Sequence, residues 1–314
     1  MLSKDELLSA LRAVGEPTRL RLMALCARGE LSVSELTRIL GQSQPRVSRH
    51  LKMLVDAGML ERFREGALVF YRLNERGDAG ALAEYLSALL PEEDEELARD
   101  RSRLDQVRRQ RAEAALRYFS ENADQWNEIR SLHVPEREVE EALLEIVGDE
   151  PVGDFLDVGT GTGRMLVLLA DRIAHGLGLD INTEMLNVAR DTIARAGLSH
   201  VHVRKGDMYS LPLEDASVDL ATLHLVLHYS AEADRVVAEA ARVLRPGARL
   251  IIIDFAPHHE EYLRHEHQHF RLGFSDAEIH QLFTAAGLRP GRVVTLDGDP
   301  LTVTIWVAEK PGVS

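Results

Sequence analysis

The stretch FLDVGTGTGRMLVLLADRIAHGLGLDIN, residues 155–182, places a glycine-rich turn and an apolar helix between two short apolar strands. The first strand ends at Asp157 and the second at Asp180. The glycines of the turn are Gly159, Gly161 and Gly163. Glycine permits tight backbone geometry and close approach of a ligand, and an acidic residue that ends the second strand can accept hydrogen bonds from a ribose diol. The pattern therefore predicts a nucleotide-type ligand site in an α/β domain.

Taken alone, this pattern is compatible with a dinucleotide site. Its G-x-G-x-G spacing behind Leu-Asp resembles instead the first motif of class I S-adenosylmethionine (SAM) methyltransferases, and later segments resemble further elements of that family in the right order. Those segments are KGDMYSLPLEDASVDLATLHLVLHY (205–229), EAARVLRPGARLIIIDF (239–255), FSDAEIHQLFTAAGL (274–288), RVVTL (292–296) and LTVTIWVAE (301–309). The resemblance covers about residues 118–310. It implies a Rossmann-like α/β fold, with a mostly parallel sheet of seven strands and helices on both faces.

The same resemblance implies a cofactor, SAM or its product S-adenosylhomocysteine (SAH), and a role for each matching residue. Asp157 and the glycine-rich turn would lie near the methionine and ribose moieties, Asp180 at the ribose hydroxyls, and Asp207 at the adenine. The cofactor-binding residues predicted in this way are Asp157, Gly159, Thr160, Gly161, Gly163, Asp180, Ile181, Asp207 and Met208. Upstream, Tyr118, Phe119 and Trp126 are interpreted either as a lid over the ligand or as an aromatic anchor for their own helix.

The sequence leaves open whether this domain catalyses methyl transfer. Transfer from SAM is an in-line displacement, so positioning does much of the work and a base is needed only for a protonated nucleophile. The segment LHLVLHY (223–229) lacks the Asn/Asp-Pro-Pro-aromatic motif of adenine-amino methyltransferases, and no Pro-Cys exists for cytosine C5 chemistry. Cys26, the single cysteine, cannot supply the several thiols of arsenic methyltransferases. What remains is a resemblance to methyltransferases of small molecules, with catalytic residues unassigned.

Charge is distributed unevenly along the chain, whose net charge is −14. Residues 1–75 contain 12 Lys and Arg against 9 Asp and Glu, whereas the rest contains 25 against 42. A basic module joined to an acidic body is the asymmetry expected if only the first part meets DNA. The charge pattern thus directs a search for a nucleic-acid-binding motif to the N-terminal region.

The N-terminal region has the pattern of a winged helix-turn-helix, mainly α with a β-wing. Amphipathic segments predict four successive helices, and the alternating MLERFREGALVFYRL (59–73) predicts two strands of a wing. The helices are DELLSALRAVG (5–15), EPTRLRLMALCARG (16–29), SVSELTRIL (32–40) and QSQPRVSRHLKMLVDAGML (42–60). Gly41 provides the turn before the fourth helix, and Cys26 falls on an apolar face suited to core packing. A helical bundle with a solvated arginine face is the alternative.

In the fourth helix, an apolar stripe leaves a polar face for DNA. The stripe consists of Val47, Leu51, Leu54 and Val55. Arginine can read guanine and glutamine adenine, while serine and lysine hold phosphates. The basic wing carries Arg62, Arg64 and Arg72. The DNA-binding residues predicted on this basis are Gln42, Ser43, Gln44, Arg46, Ser48, Arg49, His50, Lys52, Arg62 and Arg64. A double-stranded DNA operator is therefore the expected partner.

Residues 1–90 resemble the ArsR/SmtB family of winged-helix repressors. The resemblance implies a homodimer formed through residues 3–14 and 79–90, bound to a palindromic operator. Two departures argue against the family's metal sensing. Ser32 and Ser34 stand where such sensors carry cysteines, and DAGALAEYLSALL (78–90) has no histidine. Serine is a poor ligand for soft ions. We therefore interpret Ser32 or Ser34 as the cap of the third helix and predict no metal site.

Two further segments stand out, a charged stretch between the domains and a histidine-rich stretch within the second domain. Residues 91–117, with acids first and arginines later, predict a charged helical connector, either packed in the dimer or solvated, between domains 1–90 and 118–314. The segment APHHEEYLRHEHQHFRLGF (256–274) is rich in histidine; its His265 and His269 are four residues apart, as on one helix face. We favour a structural or substrate-pocket role for this histidine cluster over a metal site.

Two functions fit these observations. The first is a transcriptional regulator, acting as a repressor, whose methyltransferase-like domain binds SAM or SAH as an effector. The second is an active small-molecule methyltransferase with a DNA-binding domain for autoregulation. The missing signature of a catalytic base favours the first. The N-terminus lacks the apolar core of a signal peptide and no apolar run is long enough for a membrane span, so we expect a cytoplasmic protein.

Overall fold

The computed structural model divides the protein into two compact units, residues 1–113 and 114–314. The residues that it describes are 2–65, 68–74, 76–91, 93–121, 135–267 and 269–312, without the side chains of residues 65, 111–121, 265 and 266. The side chains of Tyr118, Phe119 and Trp126, the predicted lid, lie outside the described residues.

The first unit is a winged helix. Its elements are α1 (Lys4–Val14), α2 (Pro17–Cys26), β1 (Leu31–Ser32), α3 (Val33–Leu40), α4 (Gln44–Asp56), β2 (Leu60–Glu65), β3 (Leu68–Leu73), α5 (Gly77–Ala88) and the beginning of α6 (Glu95–Glu121). Strand β3 pairs antiparallel with both β2 and β1. The predicted helix-turn-helix with a two-stranded wing is confirmed.

The turn that connects α3 to α4 is built by local sequence signals. Ser32 caps α3, because its hydroxyl accepts a hydrogen bond from the backbone N–H of Glu35 while the Glu35 side chain accepts one from the N–H of Ser32. Such a capping box satisfies two N–H groups that the helix leaves unpaired. At the other end, Gly41 has φ +63°, a left-handed conformation that glycine adopts without steric cost. The predicted capping role of Ser32 is confirmed.

The core of this unit lies beneath α4. Val47, Leu51 and Leu54 are fully buried, while Val55 is only partly buried and packs at the margin. Cys26 is buried in the same cluster, and burial raises the pKa of its thiol because a thiolate would be desolvated there. Its predicted packing role is confirmed.

The first part of α6 packs against the winged helix. Leu97, Leu104 and Val107 are buried, the last two within the core of the unit. Arg21 of α2 donates to both carboxylate oxygens of Asp100, at 2.6 and 2.8 Å. Arg103 donates to the carbonyl of Ile39 near the end of α3, at 2.7 Å. This stretch of the helix is therefore part of the first unit and not a solvated spacer.

The second unit is built on a sheet of seven strands in the order β6-β5-β4-β7-β8-β10-β9. The strands are β4 (Val152–Val158), β5 (Ile173–Asp180), β6 (Val201–Lys205), β7 (Val218–His224), β8 (Leu244–Phe255), β9 (Arg289–Leu296) and β10 (Val303–Glu309). The pairs from β6 to β8 are parallel, whereas β10 runs antiparallel to both β8 and β9. This is the predicted Rossmann-like arrangement with a terminal antiparallel strand pair.

Helices cover both faces of this sheet. They are α7 (Glu136–Val147), α8 (Arg164–Leu169), α9 (Thr183–Arg195), α10 (Ala233–Val243), α11 (Tyr262–Glu266) and α12 (Asp276–Ala285). Alternation along β8 sends Ile251 and Ile253 into the cluster with α7, α8 and α9, and Ile252 into the cluster with α10 and α12. Side chains alternate in this way along any strand. Because both faces are covered at the centre of the sheet, residues 155–158 of β4 and 250–255 of β8 are buried without interruption.

The five parallel strands β4, β5, β6, β7 and β8 end at the same edge of the sheet. Their carboxyl ends bring together the glycine-rich turn after β4, Asp180 of β5, the loop after β7, and Asp254 of β8. In open α/β sheets, ligands bind at this edge. Among the helices that the structure describes, none combines the length and apolar character needed to cross a membrane.

Candidate functional site

In the first unit, α4 presents a polar face to solvent. Arg46 and Arg49 are exposed, one helical turn apart, and Ser43 and Gln44 are exposed at the start of the helix. Ser43 occupies the N-cap position but makes no capping hydrogen bond with its side chain. Its hydroxyl is thus not committed to the helix. The polar face could meet a phosphate backbone or base edges without rearrangement of the helix.

The other predicted contacts on α4 divide by exposure. Lys52 is exposed and pairs with Asp56 at 2.7 Å, whereas Gln42 and Ser48 are partly buried. His50 is also partly buried, and its Nδ1 lies 3.5 Å from a carboxylate oxygen of Glu16. The side chain of His50 therefore leans back toward the start of α2.

In the wing, two of the three predicted arginines are exposed. Arg62 and Arg64 are two residues apart in β2, so both lie on the same, exposed face of the strand. Arg72 of β3 is 7% exposed and donates to Glu61 at 2.7 and 2.9 Å, with Glu30 3.5 Å away. The prediction that Arg72 contributes to a basic wing is therefore wrong, since Arg72 is neutralised inside the unit.

In the second unit, the glycine-rich turn is anchored to the end of β5. The backbone N–H groups of Gly159 and Thr160 donate to the carbonyl of Leu179 at 2.7 and 2.9 Å. A Cβ on Gly159 would overlap the side chain of Val226, whereas a Cβ on Gly161 would stand in open space. The turn therefore packs tightly on one side and leaves Gly161 open on the other.

Asp157, at the start of the turn, is a buried carboxyl group. It is 1% exposed, and Thr222 of the adjacent strand β7 donates to it at 2.7 Å. Burial raises the pKa of Asp157 to about 6, although the hydroxyl of Thr222 opposes the shift. This buried hydrogen bond therefore ties the start of the glycine-rich turn to strand β7.

Asp180, at the end of β5, holds the turn from the other side. One of its carboxylate oxygens accepts from the N–H of Gly161 at 2.9 Å, and the other accepts from the N–H of Asn182 at 2.7 Å. Each carboxylate oxygen has two lone pairs, so both can accept a further hydrogen bond. Asn182 in turn caps α9 through the N–H groups of Glu184 and Met185. Asp180 is therefore oriented for a ligand by backbone groups.

The remaining predicted cofactor residues surround this edge. Ile181 is 67% exposed, next to Asp180. Asp207 is exposed and its carboxylate accepts from the N–H of Tyr209 at 2.9 Å. Met208 is partly buried against the apolar cluster on the α10 side of the sheet. The structure places these side chains on the loops after β5 and β6, two neighbouring strands.

These residues fit the cofactor that the sequence resemblance implies. The open space beside Gly161 would admit a ligand to the backbone, and Asp180 offers acceptors for a pair of hydroxyls. Ile181 leaves apolar surface for a planar base. SAM carries a diol, an adenine and a methionine moiety, which these groups would hold.

One pair of residues at the same edge was missed by the sequence analysis. His228 lies in the short 3₁₀ segment Leu227–Tyr229 after β7, and Asp254 lies near the end of β8. The His228 ring nitrogen Nδ1 is 2.8 Å from Asp254 Oδ1, and both residues are buried. Both stand within segments already noted, LHLVLHY and LIIIDF, but 26 residues separate them, so only the pairing of β7 with β8 reveals the contact.

The histidine cluster lies beside this pair. Helix α11 ends at Glu266, so His269 lies outside it and does not share a helix face with His265. The expectation of an i,i+4 pair is therefore wrong. His269 is buried with its ring centroid 4.1 Å from that of His228. Within the described parts of the chain, no group of three or more histidine, cysteine, aspartate or glutamate residues is arranged to hold a metal ion.

Two curated methyltransferases are similar in sequence to part of this chain. The arsenite methyltransferase of Halobacterium salinarum is 35% identical over 107 residues, which are 33% of this chain and 27% of that protein. The malonyl-[acyl-carrier protein] O-methyltransferase of Methylococcus capsulatus is 38% identical over 124 residues, 38% of this chain and 44% of that protein. The matched region thus spans less than half the length of either relative.

Solved structures resemble the second unit in fold. The YcgJ protein of Bacillus subtilis superposes with a TM-score of 0.50 at 18% identity, covering 57% of this chain and all of that one. A geranyl diphosphate methyltransferase in complex with SAM also gives 0.50, at 19% identity, covering 56% of this chain and 85% of that one. At such identities, the similarity establishes the fold alone.

Family models match both parts of the chain. The model described as "Bacterial regulatory protein, arsR family" matches residues 16–62, which extend from the start of α2 into β2. The model described as "Methyltransferase domain" matches residues 156–252, from within β4 through most of β8. Residues 16–62 thus match the arsR regulatory family and residues 156–252 the methyltransferase-domain family, within a unit that has the class I methyltransferase fold.

Proposed function

We propose that this protein is a DNA-binding transcriptional regulator, acting as a repressor, whose methyltransferase domain binds SAM or SAH as its effector. The observation that carries the proposal is the presence, in one chain, of an exposed polar face on α4 and an Asp180 carboxylate that backbone N–H groups hold in place at the carboxyl edge of the sheet. A regulator that responds to a small molecule needs both a DNA-binding surface and a ligand site. Because a transcriptional regulator acts on DNA, we place this function in the cytoplasm.

The exposed side chains of the winged helix support the DNA-binding half of the proposal. Arg46 and Arg49 would enter the major groove with α4, while Arg62 and Arg64 of the wing would contact phosphates. Partly buried His50 would contribute least, since its ring leans toward Glu16.

Exposed apolar residues support a homodimer. Leu7, Leu8 and Leu11 of α1 are 38–44% exposed, and Tyr85 of α5 and Leu89 just after it are 61–63% exposed. Large apolar side chains that remain in water on two helices of one domain are typical of an interaction surface. A second copy of this chain would cover them and place two recognition helices on a palindromic operator.

The cofactor proposal assigns a task to each part of the edge. Asp180 would accept the ribose hydroxyls, Gly161 would let the ligand approach the backbone, and Ile181 and Met208 would contact the adenine beside Asp207. Asp157 would support the turn from beneath, because it is too deeply buried to meet a ligand freely. The remaining residues proposed for this site are Gly159, Thr160, Gly163, Tyr118 and Trp126.

A route for coupling is supported by the contacts of α6. Its first part bonds to α2 through Arg21 and to the carbonyl of Ile39 through Arg103. Ile39 lies two residues before Gly41, at the turn that sets the direction of α4. A displacement of this part of α6 would therefore reach the recognition helix through the end of α3.

A second candidate function is an active SAM-dependent methyltransferase with a DNA-binding domain for autoregulation. Two observations favour it: the relatives matched by the second unit are named as methyltransferases, and His228 and Asp254 form a buried pair at the ligand edge. The two functions are compatible, since a regulator could also consume its own effector.

The regulator proposal is tested by titrating a protein–operator complex with SAM and, separately, with SAH. The operator is a duplex selected from random DNA by the full-length protein. We expect at least one ligand to change the operator Kd, because an effector must have different affinities for the bound and free states. Linkage requires the same factor when SAM or SAH binding is measured with and without operator. If neither ligand changes operator affinity, the receptor role is wrong and the methyltransferase role is the better one.

Zinc, cadmium and arsenite are expected to leave operator affinity unchanged, even in excess over the protein. Ser32 is occupied as a helix cap, and the thiol of Cys26 is buried with a raised pKa. The measurement is a gel shift with each ion, before and after a chelator. Release of operator by stoichiometric zinc, reversed by the chelator, would contradict this expectation.

A further inference from the structure

The pair formed by His228 and Asp254 has the geometry of an oriented base. Asp254 is fully buried, and three nitrogen atoms lie within hydrogen-bond distance of its carboxylate. They are the backbone N of His228 at 3.1 Å, the backbone N of Phe255 at 2.8 Å and the His228 ring nitrogen Nδ1 at 2.8 Å. Asp254 therefore holds His228 at two points, the backbone N–H and the ring nitrogen Nδ1.

These contacts determine which ring nitrogen carries the proton. Both carboxylate oxygens of Asp254 already accept hydrogen bonds from backbone N–H groups, so we assign the proton of the third contact to Nδ1 of His228, which donates to Oδ1. Nε2 then carries a lone pair. Nε2 is buried and makes no hydrogen bond to any described residue. A buried acceptor without a partner costs free energy unless a ligand or water meets it.

The loop that carries His228 lies against the glycine-rich turn. Val226, two residues earlier, packs so closely on Gly159 that a Cβ there would overlap it. Leu225 has φ +50°, a conformation that costs free energy for a residue other than glycine and that often marks functional loops. On the far side, the N–H groups of Phe270 and Arg271 donate to the carbonyl of His228 at 2.9 and 3.0 Å. The position of the imidazole is thus fixed relative to the proposed cofactor turn.

Aromatic rings surround the imidazole of His228. The ring centroids of Tyr229, Phe255 and His269 lie 4.2, 5.2 and 4.1 Å away. Desolvation, with the neighbouring His228, lowers the pKa of His269 to about 3, so His269 is neutral at physiological pH. Desolvation likewise lowers the pKa of His258, whose ring stands edge-on to Phe255. The rings around the imidazole of His228 are therefore flat, and His269 is uncharged, so a planar, apolar acceptor matches these surroundings better than a charged one.

We propose that His228 is the catalytic base of a methyl transfer from SAM to a weakly acidic hydroxyl of a planar, apolar small molecule, of which a phenol is the simplest case. The methyl carbon forms a bond to the acceptor oxygen as its bond to the sulfonium sulfur breaks, and that electron pair passes to sulfur to give SAH. The hydroxyl proton passes to Nε2 of His228, which later releases it to water. Asp254 acts as a positioning residue, since it holds the ring and stabilises the imidazolium.

A hydroxyl acceptor needs such a base because it must lose its proton as the methyl group is transferred. A carboxylic acid is already ionised near neutral pH and would gain nothing from a buried imidazole. The inference rests on the SAM-binding half of the proposed function and is independent of DNA binding. General-base catalysis of this kind contributes about 10²–10⁴-fold to a rate.

The first test is the protonation state of the ring, which does not depend on an acceptor. Full-length protein labelled with ¹⁵N-histidine, with His228→Asn used to assign the signal, is measured by long-range ¹H–¹⁵N correlation. We expect His228 to show a protonated Nδ1 and an unprotonated Nε2. A proton on Nε2 in the wild-type protein would overturn the proposal.

The second test measures SAH formation from SAM with phenol, catechol and hydroquinone as acceptors. We expect wild-type protein to form SAH and the methyl ether in equal amounts with at least one of them. His228→Asn, which keeps a donor near the position of Nδ1 but lacks Nε2, should lose about 100-fold or more in kcat while its calorimetric Kd for SAM is unchanged. His175→Asn is the control, because His175 is exposed on β5 away from this edge. It should behave as wild type.

The outcomes separate this inference from the proposed function. A wild-type protein that binds SAM and shifts its operator affinity, but forms no SAH with these phenols, overturns the inference alone. A wild-type protein that does not bind SAM overturns both. Activity retained in His228→Asn overturns the assignment of the base.

Discussion

The Asp180→Ala variant is expected to lose about 100-fold or more in affinity for SAM and SAH. The carboxylate would accept hydrogen bonds from both ribose hydroxyls, and a hydrogen bond to a charged group contributes about 1.5–3 kcal/mol. Asp180 also holds the N–H groups of Gly161 and Asn182. The substitution therefore removes ligand contacts and loosens the turn together, and isothermal titration calorimetry with each ligand measures the combined loss.

Two companion variants separate these contributions. Asp180→Asn retains one acceptor oxygen and the shape of the side chain, so we expect an affinity between those of wild type and Asp180→Ala. Asp171→Ala removes an exposed carboxylate from the 3₁₀ segment before β5, at the opposite edge, and should bind SAM as wild type does. All three should retain operator binding, since α4 and the wing lie in the other unit. Wild-type affinity for SAM in Asp180→Ala would remove Asp180 from the site.

The fold was predictable where its signals are local. The strand, glycine-rich turn and helix around Asp157 lie within 30 residues, and the capping box of Ser32 spans four. Each of these signals is determined by neighbours along the chain, so it can be read without knowing how distant segments pair. The alternation of apolar and polar residues in the wing is equally local.

The sequence predictions were wrong or incomplete where a contact depends on the register between two paired strands. Arg72 stands directly opposite Glu61 in the β2–β3 pairing, so its side chain shares a face with Glu61 and not with Arg62 or Arg64. Nothing in the composition of the wing separates Arg72 from the other arginines before that pairing is known. His228 and Asp254 illustrate the same limit, because their contact depends on the parallel pairing of β7 with β8.

The connector helix shows a third kind of limit. Its apolar seam, Leu97, Leu104 and Val107, is narrow, and a narrow seam on a charged helix is compatible with solvent exposure. The docking also depends on polar contacts, in which Arg21 meets Asp100 and Arg103 meets a backbone carbonyl. Such contacts join residues more than 60 positions apart and leave no periodic trace in the sequence.

Replacing Arg46 and Arg49 together by alanine is expected to abolish most operator affinity. Each arginine is exposed on the recognition face of α4, and a base-contacting arginine contributes about 1–3 kcal/mol to specific binding. Because the two are one helical turn apart, their effects need not add. The measurement is a gel shift of the full-length protein with each single variant and the double variant, at several salt concentrations.

The wing provides the contrast that makes this test specific. Arg62→Ala and Arg64→Ala should weaken operator and random DNA alike and should each reduce the slope of log K against log salt by about one, because phosphate contacts carry no sequence information. The Arg46/Arg49 double variant should instead lose discrimination between operator and random DNA. Arg99→Ala, on the exposed side of α6, is the matched arginine control. SAM affinity should be the same in every variant. If the double variant keeps wild-type operator affinity and discrimination, α4 is not the recognition helix.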